Sequence, residues 1–137
     1  MKQDAINRII DNHKHWINKD CEFYRDWRAD FSGLNISGVE ISNADLSGAL
    51  FGDAVFTNVL FCDVDLSNVE FDETRFINCS FYHTTFKDSL VYSRFENVEF
   101  YNSRMISVDF SCSKFKDVDF DSNEIIGCSF IKKEMAA

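Results

Sequence analysis

The sequence contains no proline and only five glycines in 137 residues. That leaves no Pro- or Gly-rich linker or low-complexity tail, and the length suits one domain. No apolar run approaches the ~18 residues of a membrane-spanning helix, and the N-terminus shows no apolar signal-peptide core. A cytoplasmic protein with no membrane partner is expected. The five cysteines, Cys21, Cys62, Cys79, Cys112 and Cys128, are odd in number and form no C-x-x-C pair, which argues against a disulfide framework and a zinc site. Catalytic signatures are missing too: there is no G-x-S-x-G, no G-x-x-x-x-G-K-[ST] and no H-E-x-x-H. His83 is the one histidine beyond residue 28, and the acids near it do not read as an orienter. The expectation is a protein without catalytic residues, cofactor or metal.

Charge is plentiful but uneven. The formal net charge is −9. Over residues 29–131 acids outnumber bases 17 to 6, a net of −11, whereas the flanking segments are slightly basic. Such a balance opposes direct nucleic-acid binding and suits a basic protein partner.

What is present in abundance is a count in fives. A large apolar residue recurs at Phe31, Ile36, Ile41, Leu46, Phe51, Phe56, Phe61, Leu66, Phe71, Phe76, Phe81 and Phe86. After a one-residue contraction it resumes at Leu90, Phe95, Phe100, Met105, Phe110, Phe115, Phe120, Ile125 and Phe130. Every phenylalanine but Phe23 lies on this series. Two residues before each large one stands a small or β-branched residue, such as Ala44, Val64, Cys79, Ser103 or Cys128. The other three positions are mostly Asp, Asn, Ser, Gly, Thr, Lys or Arg. A helix or strand has period 3.6 or 2, and neither sustains an inward face at period five. The pattern needs a chain that turns a corner every five residues.

Residues 1–28 read differently. Ile6, Ile9, Ile10, His13, Trp16 and Ile17 have helical spacing, giving an amphipathic helix of about four turns. A stack of repeats exposes its interior at each end and needs an atypical lid, so residues 1–28 are expected to form an N-terminal helical cap. His13 and His15 on one helix point about 200° apart, so a shared metal is not expected. His13 lies on the apolar face as a core histidine with one hydrogen-bonded nitrogen.

Ala44-Asp45-Leu46-Ser47-Gly48 carries the full motif of a small residue, Asp or Asn, Leu or Phe, and two polar residues. Val64-Asp65-Leu66-Ser67-Asn68, Val108-Asp109-Phe110 and Val118-Asp119-Phe120 are close to it. On these units the sequence resembles the pentapeptide-repeat family, and His13-x-x-Trp16 leading into Arg28-Ala29-Asp30-Phe31-Ser32-Gly33 resembles its common N-terminal arrangement. The resemblance implies an all-β fold, a right-handed quadrilateral β-helix of about five coils with an N-terminal α-helical cap. Residues 29–131 would form the β-helix and 132–137 a short tail. Four pentapeptides per coil place residues 20 apart above one another, and 19 apart across the contraction. One column then reads Phe31, Phe51, Phe71, Leu90, Phe110 and Phe130, with the contraction absorbed as a kink near residues 87–92. The other columns are Ile36 to Phe115, Ile41 to Phe120 and Leu46 to Ile125.

Outward positions stack as well. Arg75, Arg94 and Lys114 form a basic stripe, and Asn58, Asn78 and Asn97 an amide ladder. Glu99, Asp119 and Asp121 form an acidic cluster near stacked Tyr82 and Tyr101. Ile106, Ile126 and Ile131 point outward near the C-terminal end. There the last coil should present strand edges and the Phe110/Phe130 stack, which suggests a homodimer through the C-terminal coils. The expected function is a non-catalytic protein-interaction or structural module. The family resemblance adds an alternative: an acidic DNA mimic that binds a type II topoisomerase (DNA gyrase), as quinolone-resistance members do.

Overall fold

The computed structural model describes residues 2–130, so the expectation for Ile131 and the tail lies outside the described residues. Helix α1 (Gln3–Asn18) and a 3-10 turn (Tyr24–Trp27) come first. Eleven strands follow: β1 (Asn35–Ser37), β2 (Glu40–Asp45), β3 (Val55–Thr57), β4 (Leu60–Asp65), β5 (Glu70–Ile77) and β6 (Ser80–Tyr82). The series continues with β7 (Thr85–Lys87), β8 (Leu90–Tyr101), β9 (Arg104–Ile106), β10 (Lys114–Asp119) and β11 (Glu124–Ile126). Every pairing is parallel and joins one coil to the next: Phe56 lies beside Phe76, Phe76 beside Phe95, and Phe95 beside Phe115. The result is a quadrilateral β-helix.

The fivefold count follows from backbone geometry. The second residue after nearly every large inward side chain adopts a left-handed conformation, from Gly33, Gly38, Asn43 and Gly48 to Asp117, Ser122 and Gly127, with exceptions only after Val91 and Phe110. Each such residue turns the strand through one corner. Gly, Asn and Asp tolerate positive φ best, which explains why the few glycines sit mostly at corners and why Asn and Asp recur. Proline cannot adopt this conformation and would remove a ladder donor.

Inside the coils the large residues stack face to face. Ring centroids along one column are 5.3, 5.0 and 5.3 Å apart from Phe56 through Phe76 and Phe95 to Phe115. Along the next they are 4.6, 4.9 and 4.9 Å from Phe61 through Phe81 and Phe100 to Phe120. Neighbouring columns meet edge-on, as Phe76 does with Phe81. Both arrangements suit the aromatic quadrupole. The smaller inward residues fill the gaps and also bond between coils. Thr74, Ser89, Ser93, Ser103 and Ser113 donate their hydroxyls to the carbonyls of Phe51, Leu66, Phe71, Phe81 and Val91 at 2.6–3.2 Å. Among the described residues no buried side-chain N or O lacks a partner.

The contraction is not where the sequence placed it. Val91, not Leu90, continues the column below Phe71 and is 1% exposed, while Leu90 faces solvent. The missing residue falls between Val91 and Phe95, where Ser93 alone stands opposite Glu73 and Thr74. What is lost is a left-handed corner residue. The irregularity therefore sits at Tyr92–Arg94, inside the 12-residue strand β8, rather than at residues 87–92. Leu90 and Val91 are both apolar, so the fivefold count could not choose between them. A shortened coil encloses a smaller cross-section, which fits valine in a column otherwise filled by phenylalanine.

Candidate interaction surfaces

The N-terminal end is sealed by side chains of α1. Gln3 donates to the Glu40 carbonyl at 2.6 Å and accepts from the Glu40 N–H at 2.8 Å, occupying the free edge of β2 as another strand would. His13 is fully buried and bonds through both nitrogens, not the single one expected. Its Nδ1 accepts from the Ala29 N–H at 2.9 Å. The proton therefore sits on Nε2, which donates to the Ser47 carbonyl at 2.9 Å. Burial holds the His13 pKa below its ordinary value, against the opposing pull of the Ser47 carbonyl. Trp16 stacks on His13, and the Arg28 guanidinium lies over the Trp16 ring while its Nε donates to the Gly48 carbonyl at 2.7 Å.

The C-terminal end differs. Phe110 is fully buried, which corrects the expectation that it faces solvent. One layer on, Phe115, Phe120 and Phe130 pack against the core but are only partly covered. Ile125, expected inward, is 39% exposed, and Ile126 is 52% exposed. Ile126 pairs in register with Ile106, which is half-buried. Among the described residues, β10 pairs only with β8 and β11 only with β9, so the last coil has strand partners on one side.

The polar candidates share one face. Tyr82 and Tyr101 stack with centroids 4.9 Å apart, and the His83 ring meets Tyr82 edge-on. Glu99 and Tyr101 flank Phe100 on the outward side, and Glu99 lies beside Asp119 in the next coil. Asp119 accepts from the Asp121 N–H at 2.8 Å, so its carboxylate is partly committed to a turn. Asp109 does the same with Ser111, and those bonds lower its pKa. Glu99, Asp117 and Asp119 border a shallow hollow of about 330 Å³ with Asn78 and Asn97. The amide ladder holds between Asn97 and Asn78 at 2.8 Å, whereas Asn58 makes no such bond among the described residues.

Cys79 donates to the Phe56 carbonyl at 3.3 Å, and burial pushes its thiol up to about 11. It behaves as a packing residue rather than a nucleophile. One donor cluster was missed in the sequence. The donor atoms of His15, Asp20 and Cys21 lie within 4.8 Å of one another, and His15 Nδ1 and the Asp20 carboxylate are 2.7 Å apart. Lys19 in a left-handed cap folds the chain back at the helix end, a local reversal that the H-x-H spacing does not reveal.

The basic stripe is present as read: Arg75, Arg94 and Lys114 are register neighbours in three successive coils. They border a groove of about 370 Å³.

Among known proteins, the family model described as pentapeptide repeats matches residues 27–53 and 49–88, in eight copies. No curated protein matches the chain. Among solved structures, similarity is found to QnrB1, a plasmid-mediated fluoroquinolone resistance protein, at 16% identity and a TM-score of 0.26. The match covers 72% of this chain and 75% of that one.

Proposed function

Because the chain belongs to the pentapeptide-repeat family, we propose that it is a non-catalytic, cytoplasmic interaction module that engages protein through its C-terminal coil. A second copy of the chain is the first partner of that surface. The observation that carries this reading is the change in burial along the columns. Phe95, Phe100 and Phe110 are at most 2% exposed, while Phe115, Phe120 and Phe130 one coil on are only partly covered. Partly exposed aromatics beside a strand edge that is unpaired among the described residues, together with the Ile106/Ile126 pair, suit a face that is covered by another protein surface. The flanking Tyr82, Tyr101, Glu99, Asp119 and Asp121 would form its polar rim.

Sedimentation between about 1 and 100 µM tests this. Wild type should reach twice the 15.9 kDa chain mass, and Ile126→Glu should remain a single chain with an unchanged circular dichroism spectrum. A single-chain mass for wild type throughout the range overturns the dimer.

The acidic rod supports a second reading, mimicry of DNA toward a type II topoisomerase. Clustered carboxylates at Glu99, Asp117 and Asp119 favour it, and the Arg75–Arg94–Lys114 stripe interrupts the field it needs. A gyrase supercoiling assay with micromolar protein decides: inhibition or protection supports mimicry, and unchanged supercoiling discards it.

A further inference from the structure

The basic stripe is unusual in both its energetics and its place. Arg75 stands directly beside Arg94, and Arg94 beside Lys114, on parallel strands of adjacent coils. Like charges directly opposite one another across strands are destabilising. None of the three forms an ion pair among the described residues, whereas Arg104 and Lys116 are paired to Glu124 and Glu96 in the neighbouring coil. The repulsion therefore lacks the relief that Arg104 and Lys116 receive.

The stripe also runs beside the one corner edge of the rod where the repeat breaks down. That edge carries left-handed Asp53 and Glu73, then the corner lost between Val91 and Phe95. Cys112 follows, a corner position outside the set of positive-φ residues. The two irregular corners lie in consecutive coils, and the groove of about 370 Å³ opens along them. Its walls hold the three cations and Tyr92, a residue 47% exposed. Departures from local regularity in an otherwise regular fold tend to mark functional sites. Here a deletion, a concave surface and an unrelieved cation ladder coincide.

We propose that this groove binds a polyphosphate oxyanion, a chain of two or three phosphoryl groups lying along the rod axis. Arginine and lysine donors converge on it from successive coils, and such charge-assisted bonds are the strong ones. Spacing selects against an acidic peptide. Cations on adjacent coils repeat at the ~4.8 Å strand separation, while same-face side chains of an extended peptide repeat at roughly 6.6 Å. Successive phosphoryl groups, joined through one bridging oxygen, lie closer together than either repeat and so bring more negative charge within the span of the three cations than the carboxylates of a peptide would. Asp53 and Glu73 also border the groove and confine the anion to the cationic side. The surrounding rod is acidic, so attraction is local and should weaken steeply with added salt.

Calorimetric titration of the full chain with inorganic tripolyphosphate and, separately, with ATP tests the site. Saturable binding is expected, with affinity falling at least tenfold in Arg94→Gln and in Lys114→Gln. Arg104→Gln removes the same charge from an ion-paired position and should leave binding within twofold. Without ligand, Arg94→Gln should also melt no lower than wild type, since it relieves repulsion. ATP binding tighter than tripolyphosphate, and weakened by Tyr92→Ala, would assign a nucleotide. Equal affinities would assign the phosphoryl chain alone. Absence of binding at millimolar tripolyphosphate, or an equal loss in Arg104→Gln, overturns the proposal.

Discussion

Replacing His13 with leucine should detach the helical cap. Leucine keeps a buried apolar volume but removes both ring nitrogens, which orphans the Ala29 N–H and the Ser47 carbonyl. A buried polar group left without a partner costs about 1–3 kcal/mol, which applies in full to the Ala29 N–H and in part to the half-buried Ser47 carbonyl. Both tryptophans, Trp16 and Trp27, lie in the N-terminal segment, so their fluorescence reports the cap while far-ultraviolet dichroism is dominated by the rod. In urea, the His13→Leu protein should lose its tryptophan signal well before its strand signal. Wild type supplies a second readout through pH. Since burial lowers the folded-state pKa of His13, the unfolded state binds the extra proton first as pH falls. The His13 contribution is thus complete above the ordinary value of 6.5 and is lost as pH drops below it toward the folded pKa. A single proton limits the slope to about 1.4 kcal/mol per pH unit. The difference in cap stability between wild type and His13→Leu should shrink from pH 7.5 to pH 5. A constant difference, or coincident loss of both signals in the variant, would refute the reasoning.

Other substitutions follow from the same geometry. Phe81→Ala removes a ring that stacks on Phe61 at 4.6 Å and Phe100 at 4.9 Å, and should cost about 3–5 kcal/mol in equilibrium denaturation; Phe120→Ala, in the partly covered layer, should cost distinctly less. Gly48→Ala should loosen the cap more than Gly33→Ala in the tryptophan assay. Both positions have positive φ, at about 1–2 kcal/mol for a side chain, but a Cβ on Gly48 would lie 2.6 Å from the Trp16 ring and one on Gly33 meets nothing within 4 Å. An asparagine inserted between Tyr92 and Ser93 restores the missing corner opposite Glu73. It should preserve the strand spectrum and cost about 1–2 kcal/mol for looser packing around Val91, whereas the same insertion between Asn78 and Cys79 breaks a regular coil and should lower the urea midpoint further.

The inward columns were legible because burial forces one residue type at a fixed interval. Alanine, valine, phenylalanine and leucine at two of every five positions leave few architectures open. The corners were harder to see. Asn58, Asp63 and Asn68 look merely polar, yet they share a left-handed backbone that residue type alone does not reveal. The deletion was misplaced for a related reason: Leu90 and Val91 satisfy the same apolar criterion, and only pairing with Phe71 separates them. The paired bonds of His13, Gln3 and Arg28 were illegible because their partners are main-chain atoms, which leave no side-chain signature. The surface stripes were readable once the coil length was fixed, since outward residues inherit the register of the inward ones.

The two ends of the rod differ in how their backbone groups are satisfied, and that difference has an energetic consequence. In a stack where each coil contacts only its neighbours, stability is a sum of coil and interface contributions. The first coil gains an interface with the cap, including the surrogate strand edge of Gln3 and the bonds of His13. The last described coil has an interface on one side, and its aromatic layer is half covered. On the described residues alone, local opening should begin at Lys114–Phe130 and proceed toward the sealed end. A partner that covers this layer binds the closed coil and not the opened one, so it adds stability where the rod has least. Affinity at that surface and the order of its last coil are then coupled, and a substitution such as Phe120→Ala weakens both without touching the partner.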